Sequence, residues 1–133
     1  MARAVGVGGI FLKAQDPKAL SAWYAQHFGI APADKTSLFF DGPSAAGMTV
    51  FAHFPRDTEY FGPGVNHGSQ QAPQQAMVNL RVDNLDEMLA QLAAAGVSID
   101  PKRDDQAYGR FAWIIDPEGN RVELWEPPAA ESA

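Results

Sequence analysis

The 133-residue chain contains no cysteine. Disulfides, thiolate metal sites and cysteine nucleophiles are thereby excluded, so the fold must rest on its apolar core. Cationic residues are scarce too, with 10 Lys and Arg against 16 Asp and Glu and a formal charge of −6. That balance argues against nucleic acid or an anionic membrane surface as partner and permits a neutral or cationic small ligand. No apolar run approaches the roughly 20 residues that span a bilayer. The opening MARAVGVGGI lacks the apolar core of a signal peptide, and a cytoplasmic location without membrane contact is the expectation. With 46% hydrophobic and 20% charged residues the chain has the composition of a globular protein rather than a disordered one. Its length suits one domain, built either as a unit or from two small modules that share a core.

Val5 to Ala14 reads as a strand with Ile10, Leu12 and Ala14 on one side and Gly9, Phe11 and Lys13 on the other. Asp16 caps a helix whose first position is Pro17, where a missing N–H costs nothing. Leu20, Trp23, Tyr24, His27 and Phe28 then recur at helical spacing, and Gly29 stops the helix in a left-handed conformation. Short strands are expected around Ser37 to Phe40 and Met48 to Phe54, joined through Asp41, Gly42 and Pro43. Rich in proline and glycine, the stretch from Pro55 to Pro73 reads as a linker or mobile loop.

The same grammar then starts again. Ala76 to Val82 alternates, with Val78, Leu80 and Val82 on one face and Met77, Asn79 and Arg81 on the other. Asn84 caps a second helix, Glu87 stands at the capping-box position, Leu85, Met88, Leu89 and Leu92 form its apolar stripe, and Gly96 closes it. Val97 to Ile99 is a short strand and Pro101 to Gln106 a charged loop. The segment YGRFAWIIDPEGNRVELWEP closes the pattern as a β-hairpin, with Gly119 supplying positive φ at the turn. Strand alternation sends Arg121, Glu123 and Trp125 to one face.

Asp16 and Asn84 stand 68 residues apart, and Gly29 and Gly96 stand 67 apart. One unit therefore occurs twice, as two βαβββ modules about a pseudo-twofold axis: module one over 5–54, a linker over 55–75, module two over 76–127 and a tail over 128–133. The fold class expected is α+β, with each helix covering one sheet face and the opposite face left for a concavity.

Three segments, DPKALSAWYAQHFGI, VDNLDEMLAQLAAAGV and DPEGNRVELWEP, give the chain its resemblance to the vicinal oxygen chelate superfamily, which includes glyoxalases, bleomycin resistance proteins and extradiol dioxygenases. The resemblance implies paired modules forming a curled eight-stranded mixed sheet around a cavity, helices outside, commonly in a homodimer. Metal-using members take His, Glu or Gln ligands from the first and last strands of each module. Glu123 in RVELW falls on the family's glutamate. The matching first-strand positions are Gly9 and Met77, neither an ordinary ligand for a hard divalent ion. The fourth position lies in Met48 to Phe54, where either of two registers puts Thr49, Phe51 and His53 on the pocket face. Glu123 and His53 are then the only metal candidates.

Two functions follow. The first is a metal-free protein, without cofactor, that binds a small aromatic or cationic molecule in an aromatic, acidic pocket. Its contacts would come from Phe11, Phe51, His53, Met77, Asn79, Arg81, Tyr108, Arg110 and Trp125, with Tyr60, Phe61 and Tyr108 closing the mouth. The second is a lyase or isomerase of the glyoxalase type, with Glu123 as base and a divalent metal in an atypical site including His53. Blander roles compete with these. Glu123 would accept hydrogen bonds from backbone, Arg81 or Arg110, His27 would pack on its helix, and His67 would be solvated.

Overall fold

The computed structural model describes residues 1–40, 49–67 and 70–128. β1 (Ala4–Ala14) leads into α1 (Pro17–Phe28), followed by β2 (Ala31–Pro32), β3 (Ser37–Phe40) and β4 (Thr49–Pro55). Next come β5 (Val65–His67) and β6 (Gln70–Ala72), an antiparallel pair apart from the main sheet. β7 (Ala76–Val82), α2 (Leu85–Ala94), β8 (Ser98–Gln106), β9 (Gly109–Ile115) and β10 (Arg121–Glu126) repeat the first order. The main sheet is open, mixed and eight-stranded, in the order β2-β3-β4-β1-β7-β10-β9-β8, and the fold is α+β.

The repeat determines this arrangement. In each half the first strand pairs in parallel with the last, β1 with β4 and β7 with β10. The two first strands then pair antiparallel, so the halves meet within one chain along β1 and β7. This ladder carries register shifts between Ala4 and Gly6 and between Val7 and Gly9.

The helix ends follow the sequence. Asp16 accepts from the Ala19 N–H at 3.1 Å and Asn84 from the Glu87 N–H at 3.0 Å, each satisfying an otherwise unpaired amide of the first turn. Gly29 is left-handed at φ 66°. At the end of α2 the Gly96 N–H reaches the Ala93 carbonyl and the Val97 N–H the Leu92 carbonyl, the paired bonds of a Schellman stop. The Leu85 amide is capped from outside the helix by Glu126 of the last strand, at 2.7 Å.

The two apolar stripes fare differently. Leu85 of α2 is buried with Val82, Ala112 and Leu124, and Met88, Leu89 and Leu92 pack against them, as their spacing predicts. On α1 the stripe is half exposed: Ser21 is the buried residue of the helix, while Trp23 and Phe28 keep 48% and 65% of their surface in solvent. Periodicity locates the apolar face of a helix but not how deep the sheet beneath it lies. His27 is exposed as well, against Trp23 at 4.8 Å between ring centres, so it is not packed inside as the stripe suggests.

Two segments differ from expectation. The supposed charged loop from Pro101 to Gln106 belongs to β8, which pairs with β9 at Ser98 and Ile99, shifts register, and pairs again from Arg103 to Gln106. Pro101 sits in the shifted stretch of an edge strand, where no ladder hydrogen bond is lost. The linker region contains the β5 and β6 pair and, before it, Phe61, which is wholly buried. The Asp41 to Pro43 turn, Met48 and residues 129–133 lie outside the described residues.

Candidate functional site

The concave face of the sheet holds a cleft of about 510 Å³ that straddles the β1–β7 seam. That volume suits a small organic molecule. Rings make most of its wall: Phe11, Phe39, Phe54, Tyr60, Tyr108, Phe111 and Trp125. Among the described residues, the polar side chains along the lining other than tyrosine are Glu123, Asp34, Asn79 and Ser37, and none is a lysine or arginine. A larger depression of about 870 Å³ lies between α1 and residues 32–38, rimmed by Lys18, Lys35 and Asp34. The concave cleft is the stronger candidate because buried polar groups converge there.

Glu123 is the deepest of those groups, at 1% exposure. Its Oε1 accepts from Asn79 Nδ2 at 2.7 Å, and its Oε2 accepts from Trp113 Nε1 at 3.0 Å and from the Tyr60 hydroxyl. All three donors are neutral. Burial pushes the Glu123 carboxyl above its usual range, and the three hydrogen bonds oppose that shift without overcoming it. Burial first, then the adjacent Glu123 charge, raises the Tyr60 hydroxyl well above the phenol range, so it remains a donor. The sequence reading that gave Glu123 to backbone, Arg81 or Arg110 is corrected by this network.

Strand ladders explain how the residues meet. Glu123 is paired with Asn79 in β10 and β7, and Ala52 with Phe11 in β4 and β1, so Ala52 is the counterpart of Glu123 in the first half. They stand 71 residues apart. The separations of 74 and 72 implied by Thr49 or Phe51 have the wrong parity, and an odd slip turns a whole strand over. Val50, Ala52 and Phe54 therefore line the cleft. Phe51 and His53 face α1 instead: Tyr24 lies edge-on to Phe51 at 4.8 Å and stacked on His53 at 5.5 Å. His53 Nδ1 is 2.7 Å from Ser21 Oγ, and burial lowers the imidazole pKa. A site joining His53 to Glu123 is not assembled.

Other expected contacts also separate. Phe11, Asn79, Tyr108, Glu123 and Trp125 come together in the cleft. Met77 lies beneath it, fully buried with Phe11, Phe61, Ala52 and Trp113. Arg81 is buried further along β7 and donates to the Val7 carbonyl at 3.1 Å. Arg110 points to the helix side, 3.3 Å from Asp86 of α2. Trp125 is held flat against Phe111, 4° from parallel, with its indole N–H on the Tyr108 carbonyl at 3.0 Å.

Sequence reasoning missed Gly8 as a cleft residue and assigned Tyr60 and Phe61 to the mouth. Both aromatics lie deeper. The Tyr60 hydroxyl donates to Glu123, and Phe61 is completely buried against the core. A Cβ on Gly8 would run into Asn79 Oδ1 and come within 2.8 Å of the Trp125 ring. That carbonyl oxygen is buried and has no hydrogen-bond partner among the described residues. Only the glycine lets β1 pass this close to β7 and β10.

The ligand positions of the family's metal-using members fall on the first and last strands of each half. Gly9, Ala52, Met77 and Glu123 offer a hydrogen, a methyl group, a thioether and one carboxylate. Among the described residues no three His, Cys, Asp or Glu side chains are grouped to hold an ion. A catalytic divalent metal in that geometry needs about three protein ligands, and this donor set does not fit it.

Comparison with known proteins agrees with the architecture. The profile of the Glyoxalase/Bleomycin resistance protein/Dioxygenase superfamily matches residues 6–124. No curated protein matches the chain. Among solved structures, methylmalonyl-CoA epimerase from Mycobacterium tuberculosis is 20% identical with a TM-score of 0.59, covering 93% of this chain and 89% of its own. A variant of Streptomyces coelicolor methylmalonyl-CoA epimerase in complex with 2-nitronate-propionyl-CoA is 16% identical with a TM-score of 0.69, covering 98% and 100%. The Mn(II)-bound glyoxalase from Novosphingobium aromaticivorans is 16% identical with a TM-score of 0.55, covering 95% of this chain and 40% of its own. At these identities the neighbours establish the fold alone, whereas the profile spans most of the chain. The chain belongs to the glyoxalase/bleomycin resistance protein/dioxygenase superfamily.

Proposed function

We propose that the protein binds a small aromatic cation in the concave cleft without the divalent metal its metal-using relatives employ. One observation carries this reading: the cleft is walled by seven aromatic rings and holds two carboxylates, Glu123 and Asp34, with no cationic side chain along its lining among the described residues. Aromatic faces attract cations, and a cation entering the cleft would balance the Glu123 charge at short range in a low dielectric. The net charge of −6 acts in the same direction at longer range.

Calorimetry with three indoles of different charge tests the reading. Tryptamine should bind at least about tenfold more tightly than indole, a difference of about 1.4 kcal/mol, and indoleacetate more weakly still. Because the folded Glu123 pKa is raised, its carboxylate is lost already as pH falls toward and through that raised range. Tryptamine affinity should therefore weaken on acidification while the ligand itself stays charged. Equal binding of indoleacetate and tryptamine would sink the proposal.

We also propose that the protein is a homodimer, with the cytoplasm as its expected location. Val5, Val7, Ile10 and Val78 of the central strands are each 40% exposed or more, and Ile10 and Val78 are register partners. Adjacent exposed apolar side chains are the usual core of a subunit contact. Sedimentation equilibrium should give twice the chain mass, and Ile10→Asp should give a monomer. A wild-type monomer at micromolar concentration would contradict the assignment.

A further inference from the structure

We infer that Tyr60 is an internal competitor for Glu123, a specificity-determining residue whose hydroxyl must be displaced by any ligand that reaches the carboxylate; this rests on the cation-binding reading above. Glu123 belongs to the cleft wall yet is almost without exposed surface, and the Tyr60 hydroxyl occupies its Oε2. The Tyr60 ring is stacked on Phe54 at 5.2 Å and 10°, and stands edge-on to Trp113 at 6.0 Å. The arrangement is that of a phenol bound in an aromatic slot with its hydroxyl on an acid. The occupant here is part of the chain.

The surroundings allow that occupant to leave without unfolding its segment. The Phe61 side chain is fully buried and fixes the backbone next to Tyr60. The Tyr60 N–H is held by Thr58 Oγ1 at 3.2 Å and the Gly62 N–H by the Glu59 carbonyl at 3.0 Å, so the turn persists while the ring rotates about its own χ angles. Once Tyr60 has moved, Asn79 and Trp113 still hold the carboxylate through both oxygens. An ammonium arriving on Oε2 replaces a neutral donor with a charged one, and the pair then gains the Coulomb attraction of opposite charges in a low dielectric, which the phenol lacks. A ligand carrying only a neutral donor gains no such margin over the tyrosine. The cleft is thereby selective for cations over equally shaped neutral molecules, and Tyr60 sets the threshold.

Tyr60→Phe keeps the ring and removes the competing hydroxyl. Tryptamine affinity should rise about tenfold in this variant. Unchanged or weaker tryptamine binding by a folded Tyr60→Phe protein overturns the inference, since a structural or ligand-contacting hydroxyl predicts that result. A second measurement uses the wild-type chain labelled with fluorotyrosine, its Tyr60 fluorine resonance identified through Tyr24→Phe and Tyr108→Phe. Saturating tryptamine should shift that resonance as the hydroxyl leaves Glu123, and an unmoved resonance in the bound state is equally fatal. If neither protein binds tryptamine, the cation reading of Glu123 falls and this inference with it. Indole then tells the two failures apart: retained indole binding leaves the cleft as a site, and its loss removes the cleft altogether.

Discussion

Replacing Phe61 with alanine should lower the free energy of unfolding by about 3–5 kcal/mol, the usual cost of deleting a buried aromatic side chain. The residue comes from a stretch whose composition is that of a linker, with Pro63, Gly62 and Gly64 immediately after it. Its ring nevertheless has no exposed surface and packs with Phe11, Ala52, Met77 and Trp113, residues from both halves of the sheet. Phe54 lies edge-on at 5.3 Å, and the Lys13 ammonium sits 5.5 Å from the ring centre. The loss would combine the transfer free energy of the ring with a cavity between two modules that cannot collapse independently. Urea unfolding of the full chain measures it. A midpoint shift equivalent to less than about 0.5 kcal/mol, the range of ordinary surface changes, would show that the connection is peripheral.

Gly8→Leu should abolish tryptamine binding, with affinity down by at least about a hundredfold, or roughly 2.7 kcal/mol. Even a first side-chain carbon at this position collides with Asn79 Oδ1 and crowds Trp125, and the rest of leucine would fill the space above the seam. Overpacking of this kind costs about 1–3 kcal/mol of stability, which a typical domain survives. Circular dichroism therefore serves as the control for folding and calorimetry as the readout. A folded Gly8→Leu protein that binds tryptamine like wild type would place the ligand elsewhere, with the larger depression beside α1 the next candidate.

Much of the fold was legible because its signals are local. Asp16, Asn84, Gly29 and Gly96 each satisfy a backbone requirement within one turn of themselves, so their meaning is independent of the rest of the chain. The closing hairpin is local in the same sense, and alternation along β10 correctly placed Glu123 and Trp125 on one face. The candidate site depends on longer-range facts. The face of β4 turns on whether the two halves differ by an odd or an even number of residues, and the 67- and 68-residue spacings of the helices do not fix that parity for the last strands. His53 and Phe51 were lost to the cleft by this single step. Tyr60 was misplaced for another reason: side-chain burial within a glycine- and proline-rich stretch is decided by what lies opposite in space, and here that is Glu123, 63 residues away. Asn79 and Met77 were correctly placed on one face of β7, but alternation gives no depth: Asn79 lines the cleft, whereas Met77 is buried with Phe61 and Trp113.

The two register shifts in β1 bear on shape as well as pairing. Each bulge adds local twist and bends the strand that carries it, and both fall in the stretch Ala4–Gly9, which includes three of the chain's 12 glycines. Phe11, Val50, Ala52 and Phe54 stand on one side of this bend, and Asn79, Glu123 and Trp125 on the other. The aperture between the two groups is then a property of backbone curvature. Side-chain substitutions can recolour its surface, but the angle at which the two aromatic walls face each other is written in main-chain geometry at a point where half of the residues are glycine.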